Sequence, residues 1–190
     1  MKQPPFPPIR SVEQLLQQLQ QGLKAEYLMF WGHQAPRDGR VTQSCFSQWY
    51  AAGFTLDGID YPSAEHFMMA GKALLFDDQP THARILKAVT PADVKQLGRE
   101  VRGFDDARWN AARFEIVVQG NLAKFSQHPA LADYLLATGD KVLVEASPVD
   151  RVWGIGLAAD DKKATQPERW RGLNLLGFAL MEVRDRLRNA

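Results

Sequence analysis

Residues 64–76 read Ala64-Glu65-His66-Phe67-Met68-Met69-Ala70-Gly71-Lys72-Ala73-Leu74-Leu75-Phe76. Ser63 stands before the run as a cap, so the stretch predicts a helix to about Phe76. Apart from Glu65, His66 and Lys72 it is apolar all round, the pattern of a buried helix. At ~100° per residue, seven steps turn ~700°, about 20° short of two full turns. Glu65 and Lys72 therefore share one face, ~10 Å apart along the axis. Buried charges are costly unless paired or used. A carboxylate can act as general acid or base, and a desolvated lysine as a Schiff-base nucleophile toward an anomeric carbon. The plainer alternatives are a first-turn carboxylate facing the helix dipole and a lysine that snorkels to solvent.

Outward from this helix the chain is mainly α. The Asp57-Gly58 pair inside residues 53–61 predicts a hairpin. Further helices are expected over Thr81–Ala88, from Pro91 behind a Thr90 cap, from Asp105 to about Ser126, from Pro129 to Gly139, and from about Asn174 to Leu187. Residues 27–31 and 142–144 are short apolar runs that read as strands. Upstream, residues 1–10 are proline-rich and expected to be extended or disordered. Ser11 then opens an amphipathic helix with Val12, Leu15, Leu16 and Leu19 on one face, ending near Gly22 and packing on the main domain. The expected organisation is an arm plus helix over 1–26 and one catalytic domain over 27–190. Its fold class is a single multi-helical domain with a small β-hairpin and short-strand element.

The 190 residues suit one compact domain, and 45% apolar with 24% charged is the globular average. That composition excludes a disordered chain, a collagen and a coiled-coil rod. Net charge is +1, so no global pull toward nucleic acid or an anionic membrane is present. A lone Cys45 forms no internal disulfide and no thiolate metal site. No apolar run reaches the ~18–20 residues of a membrane span, and the N-terminus lacks the apolar core of a secretory signal. Cytoplasmic localisation is the expectation. No Walker loop, His-Glu-x-x-His, Gly-x-Ser-x-Gly or Cys-x-x-Cys occurs, so neither a metal nor a cofactor is expected.

Three further groups can carry chemistry. In Ser44-Cys45-Phe46-Ser47-Gln48-Trp49-Tyr50 the rings offer flat faces for a base, and Ser47 and Gln48 offer directional hydrogen bonds; core packing is the rival reading. Residues 145–169 form a long loop holding Asp150 and Trp153-Gly154-Ile155-Gly156, followed by Gly172-Leu173-Asn174-Leu175-Leu176-Gly177. Asn174 can cap the last helix, whose backbone N–H groups can receive a phosphate, while Asp150 can be an Asx-turn residue. The helix from Asp105 carries Trp109, Arg113, Asn121, Lys124, Phe125 and Gln127, expected as a solvated charged face.

These residues resemble the NADAR family of N-glycosidases from about Phe30 to Leu187. The resemblance rests on Phe46-Ser47-Gln48-Trp49-Tyr50, Ser63-Ala64-Glu65-His66-Phe67 with Lys72, Lys124-Phe125-x-Gln127, Glu145, Asp150-x-x-Trp153-Gly154 and Gly172-x-Asn174-x-x-Gly177, in order. It implies a mainly helical single domain that cleaves N-glycosidic bonds, either of ADP-ribosylated guanine or of phosphoribosylamino-pyrimidine intermediates of riboflavin synthesis. It assigns catalysis to Glu65, Lys72 and Asp150, with Lys72 forming a Schiff base and Glu65 serving as acid/base. It assigns substrate binding to Phe46, Ser47, Gln48, Trp49, His66, Trp109, Trp153, Gly154 and Asn174. The expected partner is a small nucleotide or ADP-ribosyl substrate, including ADP-ribosylated nucleic acid, with no membrane. Two positions depart from the family pattern: Gln48 stands where Asn is common, and Gly154-Ile155-Gly156 replaces Gly-Asp-Gly. A non-catalytic ADP-ribose or nucleotide-binding module is the rival from another class.

Overall fold

A computed structural model describes residues 7–190. The expected extension of residues 1–10 lies, for its first six positions, outside the described residues. Seven α-helices and four short strands are present among the described residues, in the mainly helical class expected. The chain falls into two compact units, residues 7–31 with Tyr134–Ala190, and Gly32–Asp133.

The second unit is built around α2 (Ala64–Leu75). Most of the helix is buried, but the side carrying Phe67, Gly71 and Leu74 is half-buried to exposed, so the apolar circumference is not fully enclosed. Around it pack α3 (Gln79–Lys87), α4 (Pro91–Arg99) and α5 (Asp106–Gln127). Thr90 and Asp105 cap α4 and α5 as read, accepting from the Asp93 and Arg108 N–H groups. Two starts differ. The Ser63 side chain makes no cap bond to the backbone, because its hydroxyl is engaged with the His66 ring. The helix read from Thr81 opens two residues earlier, at Gln79, because Asp78 caps it. The strands β2 (Phe54–Leu56) and β3 (Ile59–Tyr61) form the expected hairpin; Asp57 and Gly58 both have positive φ, as its tight turn demands. Residues Gln43–Phe46 form a 3-10 turn just ahead of Ser47 and Gln48.

The first unit holds α1 (Val12–Gln20), β1 (Tyr27–Phe30), β4 (Val142–Glu145) and α7 (Leu175–Arg188); α6 (Pro129–Leu136) runs across the boundary in the chain. Ser11 caps α1 through the Gln14 N–H, and Leu15 is fully buried. The strands β1 and β4 pair in parallel, Tyr27 against Val142 and Phe30 against Glu145. Parallel pairing at such sequence separation leaves no local turn signature. Arg10 pairs with Glu182 of α7, which also bonds Arg186 at 2.8 Å.

Candidate active site

Lys72 is half-buried on α2, and its ammonium donates to the Gly98 carbonyl at 2.7 Å. That carbonyl lies in the last turn of α4, where helical C=O groups lack partners and a cation is favoured. The close approach depends on Gly98, since a Cβ there would lie 2.0 Å from the Met69 sulfur. The Phe104 ring stands 4.3 Å from the amine and the Trp109 ring 5.6 Å. Burial lowers the Lys72 pKa, and the Asp106 carboxylate opposes it. The amine thus leans on a neutral carbonyl and aromatic faces. Glu65, in the first turn of the same helix, is buried.

Gln48 fixes the entry to this helix. Its backbone carbonyl accepts the Glu65 N–H at 3.0 Å, satisfying one donor that the helix start leaves open. Its side-chain oxygen accepts from Asn121 at 2.7 Å, and Asn121 also donates to the Val117 carbonyl at 2.9 Å. The Gln48 side chain is therefore held inside the unit, as is Phe46, which is fully buried 6.3 Å from Phe125. The Ser47 hydroxyl accepts the Trp49 N–H at 3.2 Å. Trp49 is half-buried, with His33 5.6 Å away and the Lys95 ammonium 5.8 Å from its ring.

His66 is buried with both ring nitrogens engaged. Nε2 lies 3.2 Å from the Ala88 carbonyl, which only accepts, so Nε2 carries the proton. Nδ1 then accepts from the Ser63 hydroxyl at 2.8 Å. Burial lowers the His66 pKa and keeps the ring neutral. His66 ties the start of α2 to the end of α3.

The face of α5 expected to be solvated is largely interior. Trp109 is 9% exposed, and Asn121 and Lys124 are fully buried. Lys124 donates to the Cys45 carbonyl at 2.6 Å and the Ser47 carbonyl at 3.1 Å. The Tyr50 and Phe125 rings lie 5.5 Å and 5.2 Å from its ammonium. Burial pulls its pKa down to about 8. Burial likewise pushes the Cys45 thiol up to about 12, so Cys45 is no nucleophile.

In the first unit, Asp150 is the Asx-turn residue. Its Oδ1 accepts the Val152 N–H at 2.8 Å and the Trp153 N–H at 2.7 Å. Trp153 is half-buried, and Gly154 is buried against the Glu145 and Asp150 carbonyls. The α7 start is not an open anion site. The Asn174, Leu175 and Leu176 N–H groups donate to the Gly154, Val152 and Trp153 carbonyls at 3.2, 3.3 and 3.1 Å. Nor does the Asn174 side chain cap the helix. With φ at 52°, it accepts the Glu145 N–H and donates to the Leu143 carbonyl, both at 2.9 Å, stapling β4 to α7. Gly177 permits this, since a Cβ there would lie 2.1 Å from the Leu143 carbonyl.

Gly98, Phe104 and Asp78 were not singled out in the sequence. The turn between Gly98 and Phe104 carries no motif; only the apolar helix at 64–76 pointed there. Among the described residues no cluster of three or more His, Cys, Asp or Glu can hold a metal ion. None of their helices is long and apolar enough to cross a membrane.

Comparison with known proteins covers most of the chain. Residues 29–188 match the model of the NADAR domain. An N-glycosidase of Acanthamoeba polyphaga mimivirus is 46% identical over 145 residues, 74% of this chain and 85% of that protein. A riboflavin biosynthesis protein of Vibrio vulnificus is 35% identical over 141 residues, 74% of this chain but 35% of its own. The NMR structure of the Escherichia coli protein YbiA superposes with a TM-score of 0.70 at 26% identity, covering 88% of both chains.

Proposed function

This chain belongs to the NADAR family and is an N-glycosidase by that kinship, and on that premise we propose that Lys72 is its nucleophile toward the anomeric carbon of a ribosyl or ADP-ribosyl base. The observation that carries the reading is the Lys72 amine itself. It is desolvated, bonded to a carbonyl and flanked by Phe104 and Trp109, so more of it is neutral near pH 7 than of an exposed lysine.

In the proposed sequence the Lys72 lone pair attacks the anomeric carbon and the bond to the base nitrogen breaks. The departing nitrogen takes the electron pair and a proton from Glu65. The lysine loses a proton, and the sugar ring opens as its ring oxygen is protonated, leaving an imine between Lys72 and the sugar. Water adds to the imine carbon, the C–N bond breaks, and the free aldehyde sugar closes. Lysine is regenerated, and the net change is substrate plus water to free base plus sugar. Glu65 suits the shuttle because it is buried in the first turn of the same helix, seven residues before Lys72 and on the same face.

Two substrates fit. The name of the Vibrio relative favours a phosphoribosylamino-pyrimidine of riboflavin synthesis. The half-buried face of Trp49 suits a base of either kind. Purified protein and Lys72→Ala are offered ADP-ribosylated guanine DNA and the phosphoribosylamino-pyrimidine, with products read by mass spectrometry. Release of ADP-ribose or of the phosphoribosyl group by wild type alone supports the reading and names the substrate. Tight binding of ADP-ribose with no product in a single turnover would favour a binding module.

A further inference from the structure

We propose that Asp78 is a positioning residue for Lys72, acting through the loop that joins α4 to α5. Its bearing on catalysis rests on the reading of Lys72 as nucleophile.

Asp78 sits where three pieces of chain meet. The end of α2 closes with Asp77 in the left-handed region, φ 57°, as the Asp77 and Asp78 N–H groups donate to the Leu74 and Ala73 carbonyls at 3.1 and 2.9 Å. The Asp78 side chain then caps α3 by accepting the Thr81 N–H at 3.2 Å. A cap requires no more than that. Thr90 and Asp105 cap α4 and α5 from exposed positions. Asp78 is buried and takes two further bonds, both from the loop after α4. Its Oδ2 accepts the Arg102 backbone N–H at 2.9 Å and its Oδ1 the Arg102 guanidinium at 3.0 Å. The Arg102 contacts hold the carboxyl well below the usual carboxylate range, so it is ionised throughout the neutral range.

What the tether delivers is Phe104. Two residues after Arg102, its ring lies 4.3 Å from the Lys72 ammonium and 5.3 Å from Phe76. Phe76 in turn lies 5.5 Å from the Arg108 guanidinium. Phe104 is itself 43% exposed, so packing against Phe76 covers it only in part. The other walls around Lys72 belong to helices: the Gly98 carbonyl from α4, and Trp109 and the Asp106 carboxylate from α5. The loop wall alone depends on a side-chain tether. Loosening it admits water to the ammonium, favours the protonated form and slows attack.

The test reads the Lys72 amine directly. Native protein is acetylated competitively across pH, and the peptide bearing Lys72 is quantified by mass spectrometry. Asp78→Asn and Phe104→Ala each move the midpoint of Lys72 reactivity to higher pH. The neutral fraction at pH 7.5 falls on the order of threefold or more. Asp78→Asn adds little on top of Phe104→Ala, because both remove the same cover. The acid limb of the kcat profile moves in the same direction, with KM nearly unchanged. A folded Asp78→Asn protein with the wild-type midpoint overturns the proposal. If that variant does not fold, Arg102→Ala carries the test, since it leaves the cap to Thr81 intact. A smaller upward shift supports the tether, and no shift overturns it. A shifted midpoint in a protein that cleaves no N-glycoside would sink the nucleophile reading and leave the tether standing. Lys72-dependent cleavage with an unmoved midpoint would do the reverse.

Discussion

Lys72 and Lys124 are two lysines of one helical unit that both lean on backbone carbonyls, and burial lowers the pKa of both. They differ in access. Lys124 is fully enclosed, and its two acceptors, the Cys45 and Ser47 carbonyls, belong to the segment that carries Gln48 and Trp49. Lys72 is half-buried, with one carbonyl and two ring faces around it. Desolvation raises the neutral share of an amine, but only an amine that a sugar can reach can use it. On the proposed reading, Lys124 organises its segment and Lys72 is the nucleophile.

The largest effect that sharpens this contrast is kinetic. Lys72→Ala should lower turnover by about a thousandfold or more, because the nucleophile is gone. It should cost only about 1 kcal/mol of stability for one lost hydrogen bond. Steady-state rates with urea melts check both. Lys124→Met should do the opposite. Two carbonyls lose their donor, and the variant should be less stable by about 2 kcal/mol. Any fall in its turnover should disappear once the folded fraction is corrected for. A Lys124→Met protein of full stability would mean that the 45–47 segment does not need its tether.

The smallest effect is a pH dependence. The Lys124 pKa is about 8 in the fold against an ordinary value of 10.5. Between those values the unfolded chain holds more protons, so this residue's contribution to stability rises with pH above 8. From pH 8 to 9 the gain is about 1 kcal/mol at most. Above pH 9 the raised Cys45 pKa works the other way, since the unfolded thiol ionises first. Urea midpoints at pH 8 and 9 should thus rise more in wild type than in Lys124→Met. Equal changes would show that the enclosed amine keeps an ordinary pKa and stays protonated in the fold over this range.

How much of this was legible follows the range of the signals. The helix at 64–76 and the Asp57-Gly58 hairpin are local patterns, and both formed as read. The parallel pairing of Tyr27–Phe30 with Val142–Glu145 is not local, and nothing in either strand names its partner. The site divides the same way. Glu65 and Lys72 stood out because they were the only formal charges on an apolar helix. Lys124 did not, because a lysine within a polar helix is normally solvated, and only the carbonyls of a segment nearly eighty residues earlier reveal its burial. Asn174 read as a helix cap from its position; its positive φ turns the side chain to β4 instead. His66 read as a substrate contact through family resemblance, while its two ring bonds bind it to Ser63 and Ala88.

Borohydride trapping during turnover tests the central claim most directly. Hydride reduction converts a sugar imine on lysine into a stable secondary amine, which peptide mass mapping locates. The account predicts a substrate-dependent adduct on the peptide bearing Lys72 and none on the peptide bearing Lys124. Turnover with no adduct at Lys72, or an adduct elsewhere with Lys72→Ala still active, would contradict it.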